Sequence, residues 1–208
     1  FIRAVENIED EPAAGREAAE DVTDKDVAVG VAASGRPPVV IGALEAAREA
    51  GADTVFVSSA PARPGTDFVD EYIFVDTGPE AIAGSTRLKA GTAQKLVLNG
   101  FSTALMIRLG KTYSNLMVDV TRHNAKLRGR VQVIVEEATG AGEAECRRAL
   151  DAADGDNKTA IVSLLADTDA TTARAALEAT IRRVREALVA LVASPDHHPT
   201  PPDEVAME

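Results

Sequence analysis

The chain has 208 residues, 45% hydrophobic and 26% charged, which is enough apolar material to bury a sizeable core. Its formal charge of −11 excludes the basic footprint that nonspecific nucleic-acid binding requires, but not a local positive pocket for a small anion. A lone cysteine, Cys146, excludes an internal disulfide and a cysteine-based zinc site, and no apolar run reaches the length of a membrane span.

The opening stretch, FIRAVENIEDEPAAGREAAED, reads as acidic helix, with Glu6, Glu9, Asp10 and Glu11 close together. By spacing alone these acids form a solvated face. DVAVGVAA (Asp26 to Ala33) is a Val-rich run that predicts a buried strand. After the turn SGRPP, the spacing of Val40, Leu44 and Ala47 predicts a helix that Gly51 stops. ADTVFVSS (Ala52 to Ser59) and EYIFVDTG (Glu71 to Gly78) predict two further strands. Strands alternating with helices imply an α/β fold, a parallel sheet with helices on its faces. Three strands make a thin sheet with an edge that needs cover.

Beyond Gly84 a long helix is expected. Leu88, Leu96, Asn99, Thr103, Met106 and Leu109 lie along one stripe, and Val97, Leu98, Phe101, Leu105 and Ile107 make the other sides apolar too. A helix apolar all round is expected in a core or in a subunit contact. SNLMVDVTRHNAKLRGRVQVIVEEATG predicts more helix. Ala138 to Asp167 reads as three short helices with Leu150, Ala153, Ala160, Ile161 and Leu164 inward, and residues 169–193 as one last helix. Cys146 is expected to be a free thiol packed in that helical unit. The Pro-rich stretch from Ser194 is expected to be disordered, and it holds His197 and His198; with His123 elsewhere, no metal site is expected.

Two stretches carry candidate chemistry. In VGVAASGRPP a strand runs through a small-residue turn into a helix. That geometry aims backbone N–H groups and the helix's positive end at one spot, which suits a phosphate. Ser34 adds a hydroxyl, Gly35 allows close approach and Arg36 adds charge, although many such turns bind nothing. In GSTRLKAGTAQK, Ser85 or Thr86 serves either as a helix cap or as an anion contact. Arg87 and Lys89 sit where the helix dipole disfavours cations, unless something anionic compensates.

Taken together, VGVAASGRPP, TGPEAIAGSTRLKAGTAQKLVLN, GKTYSNLMVDVTRHNAKLRGR and AVENIED resemble the N-acetylmuramic acid 6-phosphate etherases. These are phosphosugar-binding proteins of the SIS (sugar isomerase) superfamily, and glucokinase regulatory proteins share the pattern. The resemblance runs from about Ala4 to about Asp167. It implies that residues 1–130 are the C-terminal part of a SIS domain with its long helices. Residues 131–193 would then be a small helical, ubiquitin-associated-like unit, and 194–208 a disordered tail. In the family an earlier strand, a first phosphate loop and a first catalytic Glu come before this region, so the chain alone is expected to be inactive.

The family chemistry removes D-lactate from the C3 ether of N-acetylmuramic acid 6-phosphate by elimination and hydration, leaving N-acetylglucosamine 6-phosphate. It requires no metal or organic cofactor. Two carboxyl groups held at different pKa values share such work. By resemblance, Glu9 is the second of them, whereas Glu6 aligns with a different position. Ser34 and Gly35, with Arg36, map to the sugar-phosphate turn, and Ser85, Thr86, Arg87 and Lys89 to another substrate contact. The chain departs from the family at Asn7-Ile8 (more often Gly-Ala), at Pro37 (Thr) and at Ser59-Ala60-Pro61 (Cys-Asn-Pro). The resemblance further implies a homodimer through the apolar helix and a role in cell-wall amino-sugar recycling, and with no targeting segment visible a cytoplasmic location is expected. The alternative expectation is a phosphosugar-binding regulator without chemistry.

Overall fold

The computed structural model describes residues 8–120 and 125–193, and the chain divides between Phe101 and Ser102 into two compact units. Glu6, the three histidines and the tail from Ser194 lie outside the described residues.

The first unit begins with a 3-10 turn, Ile8–Asp10, and helix α1, Pro12–Ala18. Strand β1 (Val27–Ala32), helix α2 (Pro38–Glu49), strand β2 (Asp53–Ser58) and strand β3 (Glu71–Phe74) follow. The three strands form a parallel sheet in the order β1-β2-β3, with Val29 opposite Val55 and Val57 opposite Ile73. The expected α/β class is therefore observed. Alternation puts Ala32 and Phe56 on the face that receives Leu44 of α2, and these three form a buried core. The Phe56 and Tyr72 rings meet edge-on at 5.4 Å within it. Asp70 ties the loop before β3 to the sheet by accepting from the hydroxyl and N–H of Thr54, at 2.8 Å each, and from Arg48. The Thr54 bonds hold its carboxyl below the usual range.

Helix α1 lies directly on α2. A Cβ added at Gly15 would fall 1.9 Å from the Val39 carbonyl oxygen, and one at Gly42 would fall 2.3 Å from that of Pro12. Only glycine at both places permits this approach. Arg16 of α1 pairs with Glu49 of α2, and with Glu45 at 3.7 Å.

The long helix is α3, Lys89–Arg108. Of the two places expected for it, a core or a subunit contact, the described residues do not form the first around it: Ala90 is its only buried residue, while Leu96 is 63% and Phe101 52% exposed. Val97, Leu98 and Phe101 border an apolar cavity of ≈ 300 Å³ against Val55, Val57 and Ile73 on the second face of the sheet.

After α3 comes an antiparallel pair, β4 (Thr112–Tyr113) and β5 (Leu116–Met117); helix was predicted from Ser114, over β5. Ser114 between them takes a left-handed φ of 54°, which a helix does not accommodate. Five helices follow: α4 (Ala125–Thr139), α5 (Glu143–Ala152), α6 (Asn157–Leu165), α7 (Ala170–Ala179) and α8 (Val184–Val192). Their core includes Val118, Val135, Leu150, Ile161, Leu177 and Val184. Cys146 is a free, buried thiol within it, and burial raises its pKa.

The single helix expected over 169–193 is two helices. Asp169 caps the first by accepting from the N–H groups of Thr171 and Thr172 at 2.8 and 3.0 Å. Between α7 and α8 the consecutive residues Ile181 and Arg182 are left-handed, with φ of 51° and 57°. Three bonds hold that break. The Arg182 N–H donates to the Leu177 carbonyl at 2.6 Å, and the Arg182 guanidinium meets Asp156 at 2.7 Å. The buried Lys158 ammonium donates to the Arg182 carbonyl at 3.2 Å. Burial lowers the pKa of Lys158, whose counter-charge is Asp119 at 3.8 Å, itself also paired with Lys111. None of these long-range partners is visible in helical periodicity.

Ile181 is β-branched and 80% exposed, so its side chain gains little packing in return for the strained φ. Ile181→Gly should stabilise the protein by about 0.5–1 kcal/mol, after allowing for the extra entropy of an unfolded glycine. Thermal melts check this, and a lowered midpoint would refute it.

Candidate functional site

The sheet's C-terminal end is where a parallel α/β fold offers a crevice to ligands. Strand β1 ends there in Ala33-Ser34-Gly35-Arg36. Two bonds lock this turn to the end of β2: the Ser59 N–H and the Ser58 hydroxyl both donate to the Ala33 carbonyl, at 3.1 and 3.3 Å. Gly35 is buried with φ of 63°, and a Cβ there would sit 2.9 Å from the Tyr72 hydroxyl and 3.1 Å from that of Ser58. The turn thus requires glycine on both conformational and steric grounds. Arg63 approaches the Ser34 carbonyl at 3.5 Å.

Pro37 is the N-cap of α2 and Pro38 its first helical residue. Neither has an N–H, so the helix end offers an anion fewer donors than an ordinary first turn. Among the described residues, the N–H groups of Ser34, Gly35 and Arg36 donate to no backbone or side-chain acceptor.

A cavity of ≈ 530 Å³ lies against this turn. Glu9 from the 3-10 turn, Ser34 and Pro37 from the β1–α2 connection, Thr86 and Arg87 from the loop before α3, and Gly91 and Gln94 from α3 line it. Of the residues singled out in the sequence, Glu9, Ser34, Thr86 and Arg87 therefore meet at one cavity, although nearly eighty positions separate the first from the last. Gly35 lies beneath the turn as its steric key. Arg36, Ser85 and Lys89 are not among the lining residues.

Sequence reasoning missed two residues here. Glu80 accepts from the N–H groups of Lys89 and Ala90, at 2.9 and 3.0 Å, in the first turn of α3. The cap of this first turn is thus Glu80, nine residues before the helix, and not Ser85 or Thr86, and its carboxylate is an anion beside Lys89. Gln94 is the second. Arg87, Gly91 and Gln94 recur at helical spacing, which was a usable signal once one of them was suspected. Among the described residues no cluster of three or more His, Cys, Asp or Glu is placed to hold a metal ion.

The Ala90 and Lys89 N–H bonds hold Glu80 below the ordinary glutamate pKa. A folded value lower than the unfolded one means that this stabilisation is fully present above the unfolded pKa and lost as pH falls through the folded one. Glu80→Ala should therefore melt at a lower temperature than the parent at pH 7, and the gap should close below the carboxylate range. A gap that persists at pH 2 would rule out the charged cap.

No family model matches the chain. Similar curated proteins are named N-acetylmuramic acid 6-phosphate etherase. One from Thermobifida fusca is 58% identical over 79% of this chain and 54% of its own length. One from Streptomyces avermitilis is 51% identical over 91% of this chain and 62% of its own. One from Vibrio campbellii is 49% identical over 85% of this chain and 58% of its own. The chain thus spans rather more than half the length of these relatives, and at such identities it is a partial-length relative of the N-acetylmuramic acid 6-phosphate etherases.

Proposed function

We propose that this chain is part of an enzyme that cleaves the D-lactyl ether of N-acetylmuramic acid 6-phosphate, giving N-acetylglucosamine 6-phosphate and D-lactate in cell-wall amino-sugar recycling. The observation that carries this reading is the single cavity that unites Glu9, Ser34, Thr86 and Arg87, in a chain about half identical to etherases. The unbonded N–H groups of the Ser34–Arg36 turn and the Arg87 guanidinium suit the phosphate. Residues 1–130 act in this reading as the C-terminal part of a SIS phosphosugar domain, and 131–193 as a helical packing unit. The relatives' names give no support to a regulator without chemistry.

The proposed reaction is elimination followed by hydration. A base removes the C2 proton, made acidic by the C1 carbonyl of the open-chain sugar, and the electron pair forms the C2–C3 double bond as the C3–O bond breaks. An acid protonates the departing lactyl oxygen, and water then adds across the double bond. Glu9 performs one of these proton transfers. It is the only carboxylate on the cavity wall among the described residues. Division of acid and base work between two carboxyl groups therefore needs a second one from outside that wall, and for this reason we expect the chain alone to turn over poorly. The chemistry assigned here calls for no cofactor.

We further propose a homodimer, supported by the exposed Leu96, Phe101 and Ile107 of α3, and a cytoplasmic location. No described helix is long and apolar enough to cross a membrane.

Titration of the chain with N-acetylglucosamine 6-phosphate should show saturable binding that inorganic phosphate competes away; failure to bind at millimolar concentration would overturn the phosphosugar reading. In a protein that joins this segment to the remaining length of the relatives, Glu9→Gln should lower D-lactate release by about 10²-fold or more with an unchanged melting curve. A variant as active as its parent would remove Glu9 from the chemistry. Light scattering should give twice the chain mass, and Phe101→Asp should reduce it; a monomeric parent would dispose of the dimer.

A further inference from the structure

Gln94 has no role in the chemistry above, yet it occupies an unusual position. It lies on the wall of the Glu9–Ser34 cavity, and its side-chain Nε2 is buried without a hydrogen-bond partner among the described residues. Buried amide donors in native folds nearly always have an acceptor, so one that lacks it at the wall of a cavity points to an acceptor supplied by a ligand. The helix prepares the approach. Arg87 precedes α3, and Gly91 and Gln94 follow on one face of it. Gly91 presents no side chain; a Cβ there would have only the Thr86 carbonyl oxygen near it, at 3.4 Å. Gln94 is therefore a hydrogen-bonding head beside an open gap on that face.

The chemistry of the head selects its partner. A carboxamide carries a donor and an acceptor side by side, and rotation of the terminal group by half a turn exchanges them. The other polar side chains at the wall are a carboxylate, two hydroxyls and a guanidinium: Glu9, Ser34, Thr86 and Arg87. These suit proton transfer, hydroxyl groups and phosphate. A group that a neutral carboxamide matches at both positions at once is a secondary amide, whose carbonyl accepts and whose N–H donates. We propose that Gln94 reads the 2-acetamido group of an amino-sugar phosphate, and so makes the cavity prefer 2-acetamido sugars over plain hexose phosphates. This inference rests on the phosphosugar reading of the same cavity.

The test is calorimetric titration of the chain with N-acetylglucosamine 6-phosphate and, separately, with glucose 6-phosphate, which lacks the acetamido group. The parent should prefer the acetamido sugar by about tenfold, the worth of a well-placed amide pair. Gln94→Leu, nearly the same size but without donor or acceptor, should bring the ratio of the two affinities close to one. Gln94→Glu keeps the shape and loses the donor, and should also reduce the ratio; it decides the matter if the leucine variant fails to fold. Retention of the parental ratio in the variants would overturn the role of Gln94 while leaving the phosphosugar reading intact, as would a parent that binds both sugars equally. A parent that binds neither sugar would bring down the phosphosugar reading and this inference with it.

Discussion

The contact on which the site depends is the crossing of α1 over α2. Gly15 and Gly42 let two backbones meet where any side chain would collide with a carbonyl oxygen, and the Arg16 ion pairs fix the rotation of the short helix on the long one. The 3-10 turn that holds Glu9 ends just before α1 begins, so the placement of that carboxylate beside the β1–α2 turn follows from this crossing. An isolated helix of seven residues would not persist in water. Here its stability is tertiary, and the same contact that provides it also positions an acid at a cavity.

The β1–α2 turn has its own support. Ser58 and Tyr72, from the neighbouring strands, fill the space under Gly35, and the Ser59 N–H holds the Ala33 carbonyl, so the turn is shaped by the sheet and not by its own sequence alone. On the other side of the cavity, Glu80 holds the first turn of α3 and consumes the amides that an anion might otherwise seek. The positive character left at the cavity lies in Arg87 and in the free N–H groups of residues 34–36. In the proposed reading an anion there meets one turn and one guanidinium, while α3 contributes the Gln94 side chain.

Much of this was legible in the sequence. The three strands fall where alternating Val-rich runs stood between turn residues, and α2 ends at Gly51 as its spacing implied. Glu9, Ser34, Thr86 and Arg87 were picked out by turn chemistry and by resemblance, and the fold brings them together. The misses share a cause. The β4–β5 pair and the break at Ile181-Arg182 need left-handed residues that are not glycine, and Arg182 is held by the distant partners Lys158 and Asp156. The Glu80 cap reaches nine residues ahead of its helix, beyond the span of any capping pattern. For α3 the all-round apolar pattern left a core and a subunit contact both open, because periodicity does not say which partner covers a helix.

The two prolines at the start of α2 also bear on how the site would meet a ligand. They remove donors, but each also fixes its φ near −65° before any ligand arrives, and the −55° of Pro37 matches that value. A turn already restricted in this way loses less conformational freedom when it closes around a phosphate. The connection between β1 and α2 thus gives up enthalpy in hydrogen bonds and recovers part of it as entropy. A chain with a freer residue at position 37 would face the reverse exchange, with more donors and a looser loop.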